Sequence, residues 1–299
     1  MAAIALRARR APAAAGGATA AVALACAGAA GYGVTVVIGR SLARDGLAPA
    51  TALGIRFAVA AALLGALLAV RGVPRAAPRS LLALLALGAI GYAGQSTLFY
   101  LSLQRGTAAT SILLFYAYPA LVCAIGWLAL RERRPSARTC AALALSVAGS
   151  GLVAAGAGPI GVDPLAVVFA LGSALVFALY VLAGQRLSAG VDAMATAALV
   201  AAGAALGSAG QGALTGGLSS PGGRWMLLLA YGVFTAAAFS LMFAALARLG
   251  ARHTSIVMTL EALFAVGLAA LALGESLGFW QASGGAALLV ATGLVRRAA

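Results

Sequence analysis

The sequence predicts an all-α integral membrane protein of ten transmembrane helices, built as two inverted five-helix repeats with both termini in the cytoplasm. Three observations predict this fold class: a very apolar composition, a series of long apolar runs, and an internal duplication. The 299 residues are 63% hydrophobic and 9% charged, with a mean hydropathy of +1.05. A soluble domain carries roughly a quarter of charged residues, so this composition belongs in a lipid bilayer.

The charge pattern excludes nucleic acid as a partner. The net charge of +14 comes from 20 basic residues, all arginines, which lie in small groups between apolar runs. A nucleic-acid module instead gathers its basic residues on one face, among aromatic side chains. The 3 cysteines form no metal-binding spacing. We therefore expect neither a metal nor a cofactor.

Ten apolar runs are long enough to cross a bilayer when they are counted between arginine, proline and glycine boundaries. They cover residues 18–39, 49–70, 80–103, 107–130, 138–157, 164–186, 194–215, 225–247, 252–273 and 278–295. Residues 1–17 form a cytoplasmic tail before the first run. Only QRGT separates the third run from the fourth, which predicts an antiparallel hairpin there.

Arginine placement predicts the orientation of these spans. Fifteen arginines fall on one side of the ten-span arrangement and four on the other, while Arg56 falls inside the second span. Because arginine is enriched in cytoplasmic loops, both termini are expected on the cytoplasmic side of the plasma membrane.

The chain contains an internal duplication. Residues 104–132 align without a gap with residues 247–275, at an offset of 143. The alignment pairs Tyr118 with Glu261, Pro119 with Ala262, and Glu132 with Glu275.

The duplication divides the chain into a first repeat, residues 18–157, and a second repeat, residues 164–296. Each repeat holds five predicted spans. Because five is odd, the second repeat is inverted in the membrane. Inverted repeats are common among secondary transporters, which bind their substrate near the bilayer midplane between the repeats.

Several stretches resemble a known family. The second span begins GIRFAVAAALLG with an Arg-Phe pair, the third runs into LFYLSLQRGTAATSILLFYAYPALVCAIGWLALRE, and the second repeat echoes this with LALGES. Over about residues 18–296 the chain resembles the EamA-like family of the drug/metabolite transporter superfamily. Pro119 and Glu132 match hallmarks of that family, whereas Ala262 stands where a second proline is common. The resemblance implies a ten-helix carrier of the bacterial inner membrane, usually an exporter of amino acids or other small metabolites.

Glu261 is the most informative single residue. It lies about nine residues beyond Arg252, or roughly 13 Å into the membrane at about 1.5 Å per residue. A carboxylate at that depth costs a few kcal/mol, so it must face protein or water. One interpretation is a proton site or a contact for a substrate amine. The alternative is a structural ion pair with Arg56 or hydrogen bonds to neighbouring polar side chains.

Arg56 lies about seven residues inside the second span. It is a candidate bidentate clamp for a substrate carboxylate. It would equally suit a side chain that snorkels outward or pairs with Glu261.

Pro119 lacks an amide hydrogen and therefore kinks the fourth span. The kink is either a hinge for alternating access or a packing feature. Further cavity candidates are polar or aromatic residues within the spans, because binding sites combine apolar walls with a few convergent polar groups. They are Tyr92, Gln95, Tyr116, Tyr118, Tyr180, Tyr231 and Phe234. We expect spans three, four, eight and nine to line the cavity, with parts of one, two, six and seven.

The expected partners are a small-molecule substrate and the lipid bilayer, with protons as a candidate coupling ion, in a monomer or homodimer. Glu132 and Glu275 close their spans at opposite faces, in a structural salt-bridging or capping role or as gating residues. The alternatives to a carrier are a membrane-embedded enzyme and a scaffold or channel. The 6 acidic residues are scattered and there is 1 histidine, which argues against an enzyme.

Overall fold

The computed structural model describes residues 15–72, 77–105, 108–156, 163–273 and 278–298, and these are all helical or short connections. The elements are α1 (Ala15–Arg44), α2 (Pro49–Arg71), α3 (Pro78–Ala86), a π-helical segment (Leu87–Tyr92), α4 (Ala93–Arg105), α5 (Ala108–Phe115), α6 (Tyr118–Leu128), α7 (Ala137–Ala155), α8 (Pro164–Leu187), α9 (Ala193–Thr215), α10 (Trp225–Met258), α11 (Leu260–Leu273) and α12 (Phe279–Ala298).

Within these described ranges, 8 segments are long and apolar enough to cross a membrane. They are Gly17–Gly39, Pro49–Arg71, Pro78–Ser102, Thr110–Leu128, Ala137–Ala155, Pro164–Leu187, Ala193–Thr215 and Trp225–Met258. Helix α11 lies within the ninth predicted span, 252–273. Helix α12 begins within the tenth, 278–295, and ends just beyond it. The all-helical membrane class is confirmed, while the count of ten and the direction of the termini stay predictions. Residues 1–14 of the predicted tail and Glu275 lie outside the described residues.

Local sequence signals explain several helix starts. Proline opens α2, α3 and α8, where its missing amide hydrogen costs nothing. The Asp163 side chain caps α8 by accepting hydrogen bonds from Leu165 N and Ala166 N, at 2.8 and 3.0 Å. Asp192 caps α9 in the same way. Two of the scattered acidic residues are therefore N-caps of helices.

The third predicted span is not one regular α-helix, because a π-helical segment, Leu87–Tyr92, interrupts it. This segment lies against α9 through glycines that allow the backbones to touch. A Cβ added at Gly88 would collide with the Val200 carbonyl oxygen, and one at Gly203 would collide with the Leu85 carbonyl oxygen. The π-helical turn ends at Tyr92 and so sets the direction of a side chain that faces the central cavity.

Predicted spans four and nine are each broken at the equivalent repeat position. In the first repeat, α5 ends at Phe115, and α6 begins at Tyr118 with Pro119 in its first turn. In the second repeat, α10 ends at Met258 and α11 begins at Leu260. At the offset of 143 residues, the turn at positions 116–117 corresponds to the break at 259. The second break forms without a proline, since Ala262 stands in its place.

Gly250 marks the boundary between predicted spans eight and nine. The helix Trp225–Met258 contains this one non-helical residue, with φ 78° and ψ 168°. A side chain would strain the backbone at such a positive φ. The interruption lies between the predicted spans 225–247 and 252–273, as the sequence suggested.

Candidate functional site

A cavity of about 230 Å³ lies between the two repeats. Of the 7 tyrosines in the chain, those that line it are Tyr32, Tyr92, Tyr100, Tyr116, Tyr118 and Tyr231. Most of the remaining lining is apolar, with Gln95, Ser96 and Thr35 as neutral polar groups and Arg56 and Glu261 as charged groups. Among the described residues, the cavity therefore has a mainly apolar and aromatic wall with one cation and one anion.

The Arg56 guanidinium is buried and held by three hydroxyl groups. Its Nε donates to Thr235 Oγ1 at 2.6 Å, its Nη1 to Tyr231 Oη at 3.1 Å, and its Nη2 to Thr35 Oγ1 at 3.5 Å. The guanidinium carbon also lies 4.4 Å from the centroid of the Tyr231 ring. These contacts come from α1 and α10, so the arginine joins both repeats.

Glu261 lies in the first turn of α11, directly after the helix break. Its neighbours in electrostatic range include Arg56, Tyr92 and Tyr118. Yet no hydrogen bond or ion pair joins its carboxylate to another group in the described part of the chain. The structural ion pair between Glu261 and Arg56 that the sequence left open is therefore absent among the described residues.

The other acidic residues that the structure describes all have structural partners. Asp45 pairs with Arg224 at 3.2 Å, and Glu132 pairs with Arg252 at 3.2 Å. Asp163 and Asp192 cap helices. Among the five described acids, Glu261 alone lacks such a partner and faces the cavity.

Two further polar side chains on the cavity wall are fixed by contacts between elements. Tyr118 Oη donates to the Ser255 carbonyl oxygen at 3.0 Å, which joins the broken helix of the first repeat to that of the second. Gln95 Nε2 donates to Ser173 Oγ at 3.1 Å, and Ser173 Oγ donates back to the Gln95 carbonyl oxygen. These bonds hold both side chains in place without a ligand.

Aromatic rings form a continuous wall on the side of α8. The Phe177 ring lies 4.8 Å from Tyr118 and 5.4 Å from Phe115, centroid to centroid. Tyr92 contacts Phe57 at 5.3 Å and continues the wall toward α2. Edge-to-face ring pairs of this kind favour a fixed geometry, so the wall is preformed.

The structure places most predicted site residues around this cavity and two of them away from it. Arg56, Tyr92, Gln95, Tyr116, Tyr118, Tyr231 and Glu261 line it, and Pro119 lies at the adjacent helix break. Phe234 does not line it, and the residue is 39% exposed on the face of α10 that points away from the cavity. Tyr180 lies behind the wall, packed against Tyr92 and Phe177.

The expected set of lining spans also needs correction. The described residues that line the cavity include Val153 and Ala154 of span five, and none comes from span seven. Span seven instead packs its glycines against the π-helical segment, which separates it from the cavity.

Sequence reasoning missed several residues of the site. Tyr32 and Phe177 line the cavity, and Thr35 and Thr235 hold Arg56. Tyr32 carried a usable signal, since it is the one tyrosine in the first predicted span. Threonine carried none, because it often bonds to its own helix backbone and is common in apolar helices.

This arrangement defines a class of protein. An all-helical membrane protein that surrounds a charged and aromatic cavity with two homologous halves has the architecture of a secondary transporter. The chain belongs to the EamA-like transporter family, whose model matches residues 19–155 and again residues 164–297. The membrane transporter class and the drug/metabolite transporter affiliation follow from that membership.

A solved structure supports the same fold. The chain is similar to a protein described only as "Crystal structure of protein", with a TM-score of 0.79 and 19% sequence identity. The match covers 92% of this chain and 96% of that one. At this identity the similarity concerns the fold. No curated protein matches the chain in sequence.

Proposed function

We infer that the protein is a secondary transporter of the bacterial inner membrane that exports a small zwitterionic metabolite, such as an amino acid, by alternating access. The carrier class comes from the family. The export direction is inferred from the family, whose members are usually exporters. The substrate class is inferred from the cavity between the repeats.

One observation carries the substrate class: Arg56 and Glu261 face the same cavity without pairing. No nitrogen–oxygen contact of 4.0 Å or less joins them. Burying a charge costs desolvation free energy unless a partner of opposite charge compensates it, and here the two opposite charges do not compensate each other. A zwitterion supplies a carboxylate to the arginine and an ammonium group to the glutamate. The aromatic wall then favours an apolar side chain on that substrate.

Ten spans with cytoplasmic termini remain the proposed topology, and contacts between loops support it. Asp45 and Arg224 lie in loops predicted for the outer side, and they form an ion pair. Ser219 of an outer loop accepts a hydrogen bond from Ala48 N at 3.0 Å. At the predicted inner side, Glu132 bonds to Arg252. Each of these contacts joins segments that the topology assigns to the same face.

Proton coupling is part of the same proposal and is assigned to Glu261. A carboxylate that binds the substrate ammonium in one half-cycle can bind a proton in the other, so that Glu261 itself never carries an uncompensated charge. Arg56, Tyr92 and Tyr118 are the groups that interact electrostatically with it. The substitution Glu261→Gln would abolish this exchange, because an amide neither releases a proton nor carries a charge.

The test is a thermal-shift screen of the purified protein with amino acids, sugars, nucleosides and cationic drugs. Ligand binding at a concentration of about 100 times Kd stabilises the folded state by about 2.7 kcal/mol. We expect amino acids to stabilise the wild type and Glu261→Gln to lose that stabilisation. Asp192→Asn is the matched acid-to-amide control, because Asn also caps helices well. Stabilisation by sugars or nucleosides alone would contradict the zwitterion assignment.

A further inference from the structure

We propose that Thr235, together with Tyr231 and Thr35, is a positioning cradle that holds Arg56 away from Glu261 and so makes the site selective for ligands that carry a carboxylate. This proposal rests on the proposed function and names the residues that set its selectivity. We assign neither threonine a contact with the ligand. Both act through the arginine.

The cradle begins with Thr235, which is fully buried in α10. Its hydroxyl hydrogen is already used, because Thr235 Oγ1 donates to the Tyr231 carbonyl oxygen at 2.7 Å. The same oxygen therefore presents a lone pair to Arg56 Nε at 2.6 Å. The direction of this bond is fixed by the helix itself, and it fixes one edge of the guanidinium.

Thr35 repeats this arrangement from α1. Its Oγ1 donates to the Tyr32 carbonyl oxygen at 2.7 Å and is thereby oriented to accept from Arg56 Nη2 at 3.5 Å. Tyr231 completes the cradle. Its ring lies against one face of the guanidinium, and its hydroxyl oxygen accepts a hydrogen bond from Nη1. The Tyr231 hydroxyl is itself confined, since a Cβ added at Gly39 would lie 2.8 Å from it.

The cradle leaves part of the arginine unused. A guanidinium has five N–H donors, and three take cradle bonds, all to neutral oxygens. The remaining donors have no protein acceptor in the described part of the chain, although a carboxylate, Glu261, lines the same cavity. A flexible arginine would turn toward that carboxylate and neutralise both charges. By preventing this, the cradle keeps a fork of donors ready for the carboxylate of a ligand.

The experiment compares amino acids with the amines that lack their carboxylate: L-phenylalanine with phenethylamine, and L-leucine with 3-methylbutylamine. Binding to the purified full-length protein is measured by calorimetry. We expect the wild type to prefer each amino acid. Thr235→Val should weaken amino acid binding roughly tenfold or more, because a hydrogen bond to a charged group is lost, and should weaken amine binding by a smaller factor, because the amine contacts Glu261 and not the arginine. The preference for each amino acid over its matching amine should therefore decrease or disappear.

Two variants separate positioning from packing. Thr235→Ser keeps the hydroxyl and should retain the preference. Thr196→Val is the matched control, because Thr196 is also fully buried and also donates to the carbonyl four residues earlier, but it lies outside the cavity. If Thr235→Val does not fold, Tyr231→Phe removes the Nη1 acceptor, keeps the ring and should reduce the same ratio.

The outcomes distinguish the cradle from the proposed function. A wild-type preference that survives Thr235→Val, or an equal loss of amino acid and amine binding, would overturn the cradle. A wild type that binds neither of these nor any other standard amino acid would overturn the zwitterion assignment itself, whatever the variants do.

Discussion

At the scale of single residues, the two charged side chains of the cavity were predictable and their environment was not. Arg56 and Glu261 stand out in the sequence because a charge within an apolar run is expensive and needs a reason. Whether they pair or stay apart depends on Thr35 and Thr235, which belong to other helices. Such contacts between distant segments leave no local pattern in a sequence.

Two tyrosines give a matched prediction about hydrogen bonding. The Tyr118 hydroxyl bonds to the Ser255 carbonyl oxygen, whereas the equally buried Tyr180 hydroxyl has no partner among the described residues. Tyr118→Phe should lower the free energy of unfolding by about 1 kcal/mol or more, because it also leaves a buried carbonyl without its donor. Tyr180→Phe removes an unpaired polar group and should be neutral or stabilising.

The measurement is thermal unfolding of both variants without ligand, under one detergent condition. Equal destabilisation by the two substitutions would contradict the assigned hydrogen bonds.

At the scale of elements, the sequence indicated one helix break and gave no signal for the other. Pro119 predicted a kink in the fourth span, and α6 does begin beside it. The second repeat has Ala262 at that position and breaks nevertheless, because Thr259 N turns to the Ile256 carbonyl oxygen at 3.3 Å, three residues back. The Thr259 hydroxyl donates to the same oxygen at 2.6 Å. The two breaks are thus made by different chemistry at equivalent positions.

The close contact between α9 and the third span gives a prediction about glycine. Gly203 and Gly207 form the small-residue spacing that favours close helix packing in membranes. Gly203→Ala should destabilise the protein, because the added Cβ would collide with the Leu85 backbone. Gly210→Ala on the same helix meets nothing within 4 Å. Its expected effect is neutral or up to about 1 kcal/mol stabilising, from the better helix propensity of alanine.

The unfolding temperatures of these two variants provide the test. A Gly203→Ala protein as stable as the wild type would show that the two backbones are not in contact.

At the scale of the whole molecule, the duplication and the membrane class were predictable from the sequence, but the contacts between the repeats were not. Glu132 was expected to form a structural salt bridge or a gate. Its partner, Arg252, lies 120 residues away in the second repeat. A tight turn at the end of α6 brings Glu132 close to Arg252. In this turn Arg131 has a φ of 54°, and Glu132 N donates to the Gly126 carbonyl oxygen at 3.0 Å.

This ion pair predicts a shift in the resting state of the carrier. Most residues that line the cavity lie in the half of their span near the predicted outer loops, whereas Phe177, Met258 and Glu261 lie close to the middle of theirs. The Glu132–Arg252 pair joins the repeats at the opposite end. Glu132→Gln should loosen that end and lower the population of the state with an outward cavity. A partly buried pair contributes on the order of 1 kcal/mol, so the expected change is up to roughly fivefold.

The measurement is labelling of a cysteine introduced at Ser96 with a membrane-impermeant thiol reagent, in a protein whose native cysteines are replaced. Right-side-out vesicles should label more slowly with Glu132→Gln. The exchange Glu132→Arg with Arg252→Glu should restore the rate. Asp45→Asn, which breaks the ion pair at the other end, is the control and should not slow labelling. An unchanged rate in Glu132→Gln would show that the pair is not a gate.

Counterflow tests whether the cavity between the repeats carries a zwitterion across the membrane. Purified protein in liposomes is loaded with an unlabelled amino acid, and entry of the same radiolabelled compound is followed for each of the standard amino acids. We expect saturable counterflow of at least one of them, present in the wild type and in Asp192→Asn and absent in Glu261→Gln. Liposomes that show no counterflow of any amino acid, or equal counterflow with Glu261→Gln, would contradict this proposal.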